Sequence, residues 1–535
     1  MSSHKRDPKT SAGPGPPEPA VASQAEVLAF LGTPPAHGGA PVRRIDTHIS
    51  SVFLAGDRAL KVKRAVRFPF LDYSSLEQRR AACAAELEVN RRFAAELYRG
   101  LVAITREADG RLAIGGSGAV VEWAVEMQRF DETRTLDRVA ASGGIDPALA
   151  EALGQAMAAA HAALPLVEAD PWIAALETYL DQNQRAFAES PELFAPQEVA
   201  VLDRASRDAL SRLRPLLRAR GKQGLIRRGH GDLHLGNIVL IDGRPVPFDA
   251  IEFDPLVAAG DVLYDLGFLL MDLVERGLWT AANIVLNEYL SQARREEDLG
   301  ALAALPFFLS LRAAIRAKVV AARLATAKTT EQAGLAQSAR TYFGFARAFI
   351  SPPAPTLVAI GGLSGTGKSV LARALAPCVP PAPGAVVLRS DRERKALFEA
   401  GATERLGSNA YGPQADAAVY TALADKTRRV LAAGHSVVVD AVFARPDDRR
   451  SIKAAAGRRA FCGIFLQADL QTRIRRVEHR IGDVSDADAA VAAKQEAYDL
   501  GPFDWIGVDA SGSPGETLAA TRAVCATAGP RDPRP

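Results

Sequence analysis

The spacing of apolar positions changes several times along the chain, and each change marks an element. Residues 1–23, with GPGPPEP inside, hold too little apolar content to order themselves and read as a disordered tail. From Gln24 the spacing turns helical in AEVLAFLG. Val52 to Leu54 and Ala59 to Val62 then read as two strands of a hairpin around Ala55-Gly56-Asp57. A long helical stretch covers Ser75 to Leu97, an apolar strand Val120 to Met127, and an apolar helix Leu149 to Ala163. Arg228 to Asp254 reads strand, loop, strand, turn, strand, with the tight turn at Asp242-Gly243. After Asp261 helical spacing continues to about Ile350, and Ser351-Pro352-Pro353-Ala354-Pro355 is a stiff break. Beyond it the stretch TLVAIGGLSGTGKSVLARALA is strand, glycine-rich loop, helix. Val386 to Leu388, Val437 to Val439 and Phe461 to Leu466 are further apolar strands, and their alternation with helices predicts a parallel α/β sheet. The Pro-rich end, Gly529 to Pro535, is expected to fray.

Length and composition bound the partition. A chain of 535 residues is too long for one core, and the break divides it into residues 24–350 and 351–528. Hydrophobic content of 48% is ample for globular folding. The net charge of +3, with both signs mixed, carries no strong pull toward nucleic acid or a membrane surface. Cys83, Cys378, Cys462 and Cys525 are scattered and form no CxxC pair, which suits a reducing cytoplasm and argues against a zinc site. No apolar run is expected to cross a bilayer, and the polar N-terminus has no hydrophobic signal core. Heavy use of Ala, Arg, Gly and Pro points to a GC-rich bacterial genome.

The chemistry begins in the Arg228–Asp254 stretch. Its loop holds His230, Gly231, Asp232, His234 and Asn237, and the turn at Asp242-Gly243 leads to Asp249. Phosphoryl transfer needs such a set: a carboxylate to accept the hydroxyl proton, and an amide and a second carboxylate for Mg²⁺. Asp232 precedes Asn237 by five residues, the interval of a kinase catalytic loop. HGDLHLGN followed by a hairpin and an Asp resembles the aminoglycoside phosphotransferase family, relatives of choline kinase and protein kinases. Gly260 to Leu270, GDVLYDLGFLL, is similar to that family's segment after the metal Asp. The resemblance implies an α+β, protein-kinase-like bilobal fold, with Asp232 as base and Asn237 and Asp249 on magnesium. His230 and His234 are expected to hold the loop rather than to do chemistry.

A kinase N-lobe needs a strand lysine for the ATP phosphates. Lys61 is the first choice and Lys63, on the same strand face, the alternate. The carboxylate that pairs with it comes from the 75–97 helix: Glu86 and Glu88 are candidates, and the spacing around Glu88 lies closer to the family pattern. No GxGxxG precedes Lys61. Thr47-His48-Ile49-Ser50-Ser51 stands there, so hydroxyls and amides are expected over the phosphates. Val120 to Phe130 resembles the strand and hinge on which adenine sits. His161 reads as a core histidine, and Arg312, Arg316 and Lys318 as a solvated helix face.

Gly362 to Ser369 fits GxxxxGK[ST], between a strand and a helix. Its amides cradle phosphate at a helix N-terminus, Gly362, Ser364, Gly365, Thr366 and Gly367 forming the loop. Lys368 reaches the β- and γ-phosphates and Ser369 binds Mg²⁺. Asp440, at the end of a strand, is the other magnesium carboxylate. Arg473, Arg476 and Arg480 recur three and four apart ahead of Gly482-Asp483, so they are expected on one helix face as a lid over triphosphate. Ser390-Asp391 and these arginines resemble gluconate kinase, zeta-toxin-like kinases and polynucleotide kinase. That resemblance gives Asp391 the acceptor hydroxyl to orient or deprotonate; helix capping is its other reading.

Together these expectations describe two domains: a kinase-like bilobal domain and an α/β P-loop NTPase domain with a parallel sheet. The function expected is an ATP- and Mg²⁺-dependent phosphotransferase with two nucleotide sites, acting on a small molecule bearing a hydroxyl. The rivals are a regulatory protein, in which ATP hydrolysis in one domain switches the other, and a nucleic-acid end kinase. The last is disfavoured by the near-neutral charge and the lack of an aromatic-and-basic stripe.

Overall fold

The computed structural model describes residues 19–68, 71–325, 327–401, 404–479 and 485–528. The chain forms two compact units. One is Met1–Arg134 with Pro247–Pro255, the other Thr135–Val246 with Leu256–Pro535.

The first unit is built on a six-stranded antiparallel sheet, in the order Val42–Asp46, Ser50–Ala55, Arg58–Lys63, Ala119–Gln128, Tyr98–Arg106, Leu112–Ile114. The expected hairpin is present: Ala55 pairs Arg58 across a turn in which Gly56 takes φ +56°. Alternate residues of these strands, Phe53, Leu60, Val62, Ile104 and Ala124, bury one face together with Val27 and Leu31. The helix Leu76–Ala94 is started by a reciprocal cap, the Ser75 side chain accepting from Gln78 N and the Gln78 side chain accepting from Ser75 N.

The second unit contains a five-stranded parallel sheet, in the order Val386–Arg389, Val437–Asp440, Thr356–Gly362, Ala460–Gln467, Ile506–Asp509. It also contains the helices on either side of the 229–237 loop. Val262–Glu275 is apolar nearly all round and is buried from Val262 to Val274, as a helix of that composition must be. Against expectation, Glu296–Arg323 is long and apolar enough to cross a membrane, but 78% of its apolar window is buried inside the protein, so it is a core element.

These units do not divide at Ser351–Pro355. Leu286, Phe308 and Phe343, before the break, share one hydrophobic core with Leu357, Val386, Leu423 and Val439 after it. The helix Trp279–Ala293 serves as a partner for the edge strand Val386–Arg389. Asn283 and Asn287 donate to Ala385 O at 3.0 and 3.2 Å, and Val387 N donates to Asn287 Oδ1 at 2.7 Å. Side-chain amides thus take the place of a missing ladder strand. The Glu288–Arg392 ion pair at 2.5 Å extends the contact to the helix Ser390–Leu397.

Candidate functional site

The residues expected at one kinase-like site fall to both compact units. In the first, Lys61 and Lys63 project from one face of their strand onto a single buried carboxylate, Glu86. Lys61 Nζ lies 2.8 Å from Oε1 and Lys63 Nζ 2.5 Å from Oε2. Lys61 also donates to Asp249 at 2.5 Å, and Lys63 to Glu252 at 2.5 Å. Burial works against both ammonium groups, but the surrounding carboxylates outweigh it and raise both above the usual lysine range. Burial likewise pushes Glu86 up, and the two lysines more than reverse this, holding it at about 2.

The choice of Glu88 is corrected here. It is exposed and pairs with Arg92 one turn along at 2.9 Å. A displacement of two residues turns a side chain to the far side of a helix, so Glu86 faces the sheet and Glu88 faces water. Asp249 sits at φ +62°, a left-handed conformation uncommon outside glycine. Its amide donates to Tyr98 Oη at 3.1 Å. The next residue is held from both sides, Ala250 N donating to Asn90 Oδ1 at 2.7 Å and Asn90 Nδ2 to Ala250 O at 3.2 Å. Asn90 and Tyr98 therefore hold the bend that presents the Asp249 carboxylate.

Other expectations for this unit are altered. Ser51 donates to Asp46 at 2.7 Å and Thr47 Oγ1 accepts from Ser50 N at 3.0 Å, so these hydroxyls close the turn. Ser50 and Ser51 are buried. In the adenine-hinge segment, Gln128 N donates to Leu97 O and Arg129 N to Asp57 O, each at 2.8 Å.

The second unit carries the residues expected to form a catalytic loop. Asn237 Nδ2 donates to Asp232 O at 3.0 Å and to Asp232 Oδ2 at 3.1 Å. His234 Nδ1 accepts from Gly236 N at 3.1 Å, which leaves the proton on Nε2, 3.5 Å from Asp232 Oδ2. Burial raises the Asp232 carboxyl, but the hydrogen bond from His234, with the nearby Arg316 guanidinium, overrides it and holds it at about 2.

The loop's main clamp is a residue the motif reading passed over. Asp265, buried on Val262–Glu275, accepts from His230 N at 2.8 Å and from Gly231 N at 2.9 Å. Its passage so close explains Gly229, where a Cβ would come within 2.7 Å of Asp265 Oδ2. His161 is a buried core histidine that bridges Tyr289 and Asp265 at 3.0 and 3.3 Å. Asp272, two turns further along the same helix as Asp265, accepts from Leu235 N at 2.9 Å. Arg312 is not on a solvated face. It is 5% exposed, donates to Gly231 O at 3.0 Å and lies 3.8 Å over the Tyr264 ring. The signal for Asp265 was its charge in an otherwise apolar run; Arg312 had none.

The glycine loop 362–369 opens onto a cavity of about 1140 Å³ lined also by Asp391, Arg394, Arg405, Tyr411, Asp440 and Arg476. Gly365 takes φ +88°, and a Cβ there would meet Arg473 O at 2.4 Å, so only glycine fits. Ser364 N donates to Gln495 Oε1 at 2.6 Å, and Lys368 Nζ to Leu363 O at 3.1 Å. Ser369 Oγ donates to Asp440 Oδ2 at 2.5 Å. Arg389, almost fully buried, reaches both, 2.9 Å from Ser369 Oγ and 3.3 Å from Asp440. Sequence reading gave no sign of it. Asp391 lies in the first turn of Ser390–Leu397 without capping it: the cap position is Arg389 and no side chain fills it.

The lid arginines separate. Arg473 is 1% exposed and anchored to Ser364 O at 3.5 Å and to Glu496 at 3.0 Å, so it fastens the loop from behind. Arg476 lines the cavity and donates to Ser511 O and Gly512 O at 3.2 and 2.8 Å. Arg480, Gly482 and Asp483 lie outside the described residues.

The family model described as "Phosphotransferase enzyme family" matches residues 48–305, and that described as "AAA domain" matches residues 357–499. The chain is thus a kinase-like phosphotransferase domain joined to a P-loop, kinase-like domain, an arrangement that supports ATP-using phosphotransferase activity. It belongs to the family of the uncharacterized protein Rv2004c of Mycobacterium tuberculosis, to which it is 30% identical over 471 residues, covering 85% of this chain and 90% of that one. The uncharacterized protein Mb2027c of Mycobacterium bovis matches with the same figures. Among solved structures, a choline/ethanolamine kinase family protein from Mesorhizobium loti is 16% identical, with 61% of this chain and 99% of that chain covered and a TM-score of 0.34. A gluconokinase from Sinorhizobium meliloti 1021 is 20% identical, with 32% and 94% covered and a TM-score of 0.24.

Proposed function

We propose that the chain is a bifunctional phosphotransferase that transfers phosphate from Mg·ATP to a hydroxyl of a small molecule, with one nucleotide site in each half, 24–350 and 351–528. A cytoplasmic setting belongs to the same reading. In the first half, Lys61 binds ATP phosphates while Glu86 fixes its ammonium. Asp232 accepts the acceptor's proton, and Asn237 and Asp249 supply oxygen ligands for the metal. In the second half, the amides of residues 362–367 and Lys368 hold the phosphates. Asp391 orients or deprotonates the acceptor hydroxyl, and Arg476 answers charge on the moving group. The observation that carries this reading is the Ser369 hydroxyl meeting the Asp440 carboxylate at 2.5 Å, on a loop that opens into a cavity shared with Lys368, Asp391 and Arg476. Hard oxygen donors of this kind suit Mg²⁺, which when bound would neutralise charge on the phosphates.

The test is calorimetry on the full chain with a non-hydrolysable ATP analogue and Mg²⁺. Two sites are expected in the wild type and one in Lys368→Ala. A single site that Lys368→Ala abolishes would overturn the two-site reading.

One observation favours a second reading, in which ATP turnover in the P-loop half switches the kinase-like half. The amides of Asn283 and Asn287 hold the strand that leads directly into Asp391. Radiolabelled ATP and a pool of cell metabolites separate the two readings: labelled organic product supports transfer, and inorganic phosphate alone supports the switch.

A further inference from the structure

Cys462 lies on the strand Ala460–Gln467 and Cys525 on the helix Pro514–Ala528. They are 63 residues apart in sequence, yet their sulfurs are 2.9 Å apart. A disulfide bond is about 2.05 Å long, so the sulfurs need approach by only about 0.9 Å to bond. The two positions are not equivalent. Cys462 is 5% exposed, its strand paired on one side from Ala460 onward and on the other from Ile464. Cys525 is half-buried and packs against the core of Val358, Ile360, Ala372 and Ile464. Either sulfur can donate in this contact, so it is exposure that distinguishes the two thiols. Of the other cysteines, Cys83 is fully buried and its thiol is pushed up to about 12, chiefly by burial.

We propose that Cys462 and Cys525 are a redox pair that closes reversibly to an intramolecular disulfide, with Cys525 as the accessible nucleophile and Cys462 as the buried resolving thiol. The oxidant is a small-molecule disulfide, RSSR. The Cys525 thiolate attacks one sulfur of RSSR, breaking its S–S bond and releasing RS⁻, which takes up the proton that left Cys525. Cys462, giving up its proton, then attacks Cys525 Sγ and expels the second RS⁻, which leaves as RSH. Two protein thiols and one RSSR become one protein disulfide and two RSH, so the protein is oxidised by two electrons and the small disulfide is reduced by two. The bond ties the Pro514–Ala528 helix to the sheet. That helix carries Pro514 and Thr517 on the cavity wall and packs against Lys368–Leu375, which starts at the phosphate loop, so oxidation fixes one wall of the P-loop cavity.

The experiment equilibrates the full-length protein with mixtures of reduced and oxidised glutathione, quenches with acid and counts thiols after denaturation. Mass spectrometry of non-reduced peptides then locates any bond. Four thiols should fall to two, with a peptide linking Cys462 to Cys525. Cys83→Ser and Cys378→Ser should form the same link, and Cys525→Ser should not. Oxidised wild type should melt higher by several degrees, on the order expected for closing a loop of this length in a domain of this size, and dithiothreitol should reverse the shift. Retention of four thiols in the wild type would overturn the proposal. So would accumulation of Cys525 as a glutathione mixed disulfide without the linked peptide.

Discussion

Glu86 and Glu88 share a helix and have opposite surroundings, and substitution should show it. Glu86 balances two lysine ammonium groups in a buried site. Glu86→Gln takes away the carboxylate that both lysines share, leaving Lys61 to Asp249 and Lys63 to Glu252, and should cost about 1–3 kcal/mol in urea unfolding of the full chain. Glu88→Gln removes one exposed pair and should stay within about 0.5 kcal/mol. Because Asp232 is held at about 2, it is ionised throughout the neutral range. Asp232→Asn should therefore lower turnover by roughly 10²–10⁴-fold at every such pH with ATP affinity retained, whereas Asp249→Ala should weaken Mg·ATP binding. Wild-type turnover in Asp232→Asn would remove it from the base role. In the P-loop half, Lys368→Ala should damage both ATP binding and turnover. Arg476→Ala should lower kcat with little change in ATP affinity, because a lid group acts mainly in the transition state. Unchanged kcat in Arg476→Ala would mean that its bonds to Ser511 O and Gly512 O are its whole role.

At the scale of elements, the edge strand Val386–Arg389 depends on a helix from the other side of the chain break. Asn287→Ala takes the side-chain partner from Val387 N and one of the two amide donors from Ala385 O. A loss of about 1–3 kcal/mol is expected, with faster amide hydrogen exchange across Val386–Asp391. Unchanged exchange there would show that the sheet orders this strand without the helix. The segment entering the inner strand Val437–Asp440 adds a pH response. His435 is fully buried and its ring lies 2.8 Å from Gly384 O. A carbonyl only accepts, so Nε2 carries the proton, and burial holds the ring at about 4. A folded value below the unfolded one of about 6.5 contributes stability that is complete above 6.5 and is lost as pH falls toward 4. Unfolding free energy should thus decline by up to about 3 kcal/mol over that window. The decline should be blunted in His435→Gln, as urea midpoints at pH 7 and pH 5 would show.

For the whole molecule, the shared core decides how the chain can be divided. Residues on both sides of Ser351–Pro355 fill one hydrophobic cluster, so a fragment starting at residue 351 would expose Val386, Leu423 and Val439 to water. That fragment should aggregate or melt well below the full chain, and co-expression with residues 1–350 should restore solubility. A soluble, fully cooperative fragment would show instead that the P-loop half folds on its own. For the same reason, nucleotide binding is best assigned by point substitution in the intact protein.

Contiguous features were legible in the sequence. The glycine loop, the HGDLHLGN stretch, the 52–62 hairpin and the alternation of strand and helix after residue 355 each depend on residues near one another in the chain. Spacing and backbone preference suffice for such features. What needed the tertiary structure is every partnership across distance: Glu86 in place of Glu88, Asp265 and Arg312 behind the catalytic loop, Arg389 on Ser369 and Asp440, and Arg473 behind the glycine loop. The physical reason is that a buried charge reads in sequence like any surface charge, and only packing shows which groups compensate it. Cys462 and Cys525 follow the same rule. Spacing alone set them apart, and the fold of a parallel sheet under its last helix brought them together.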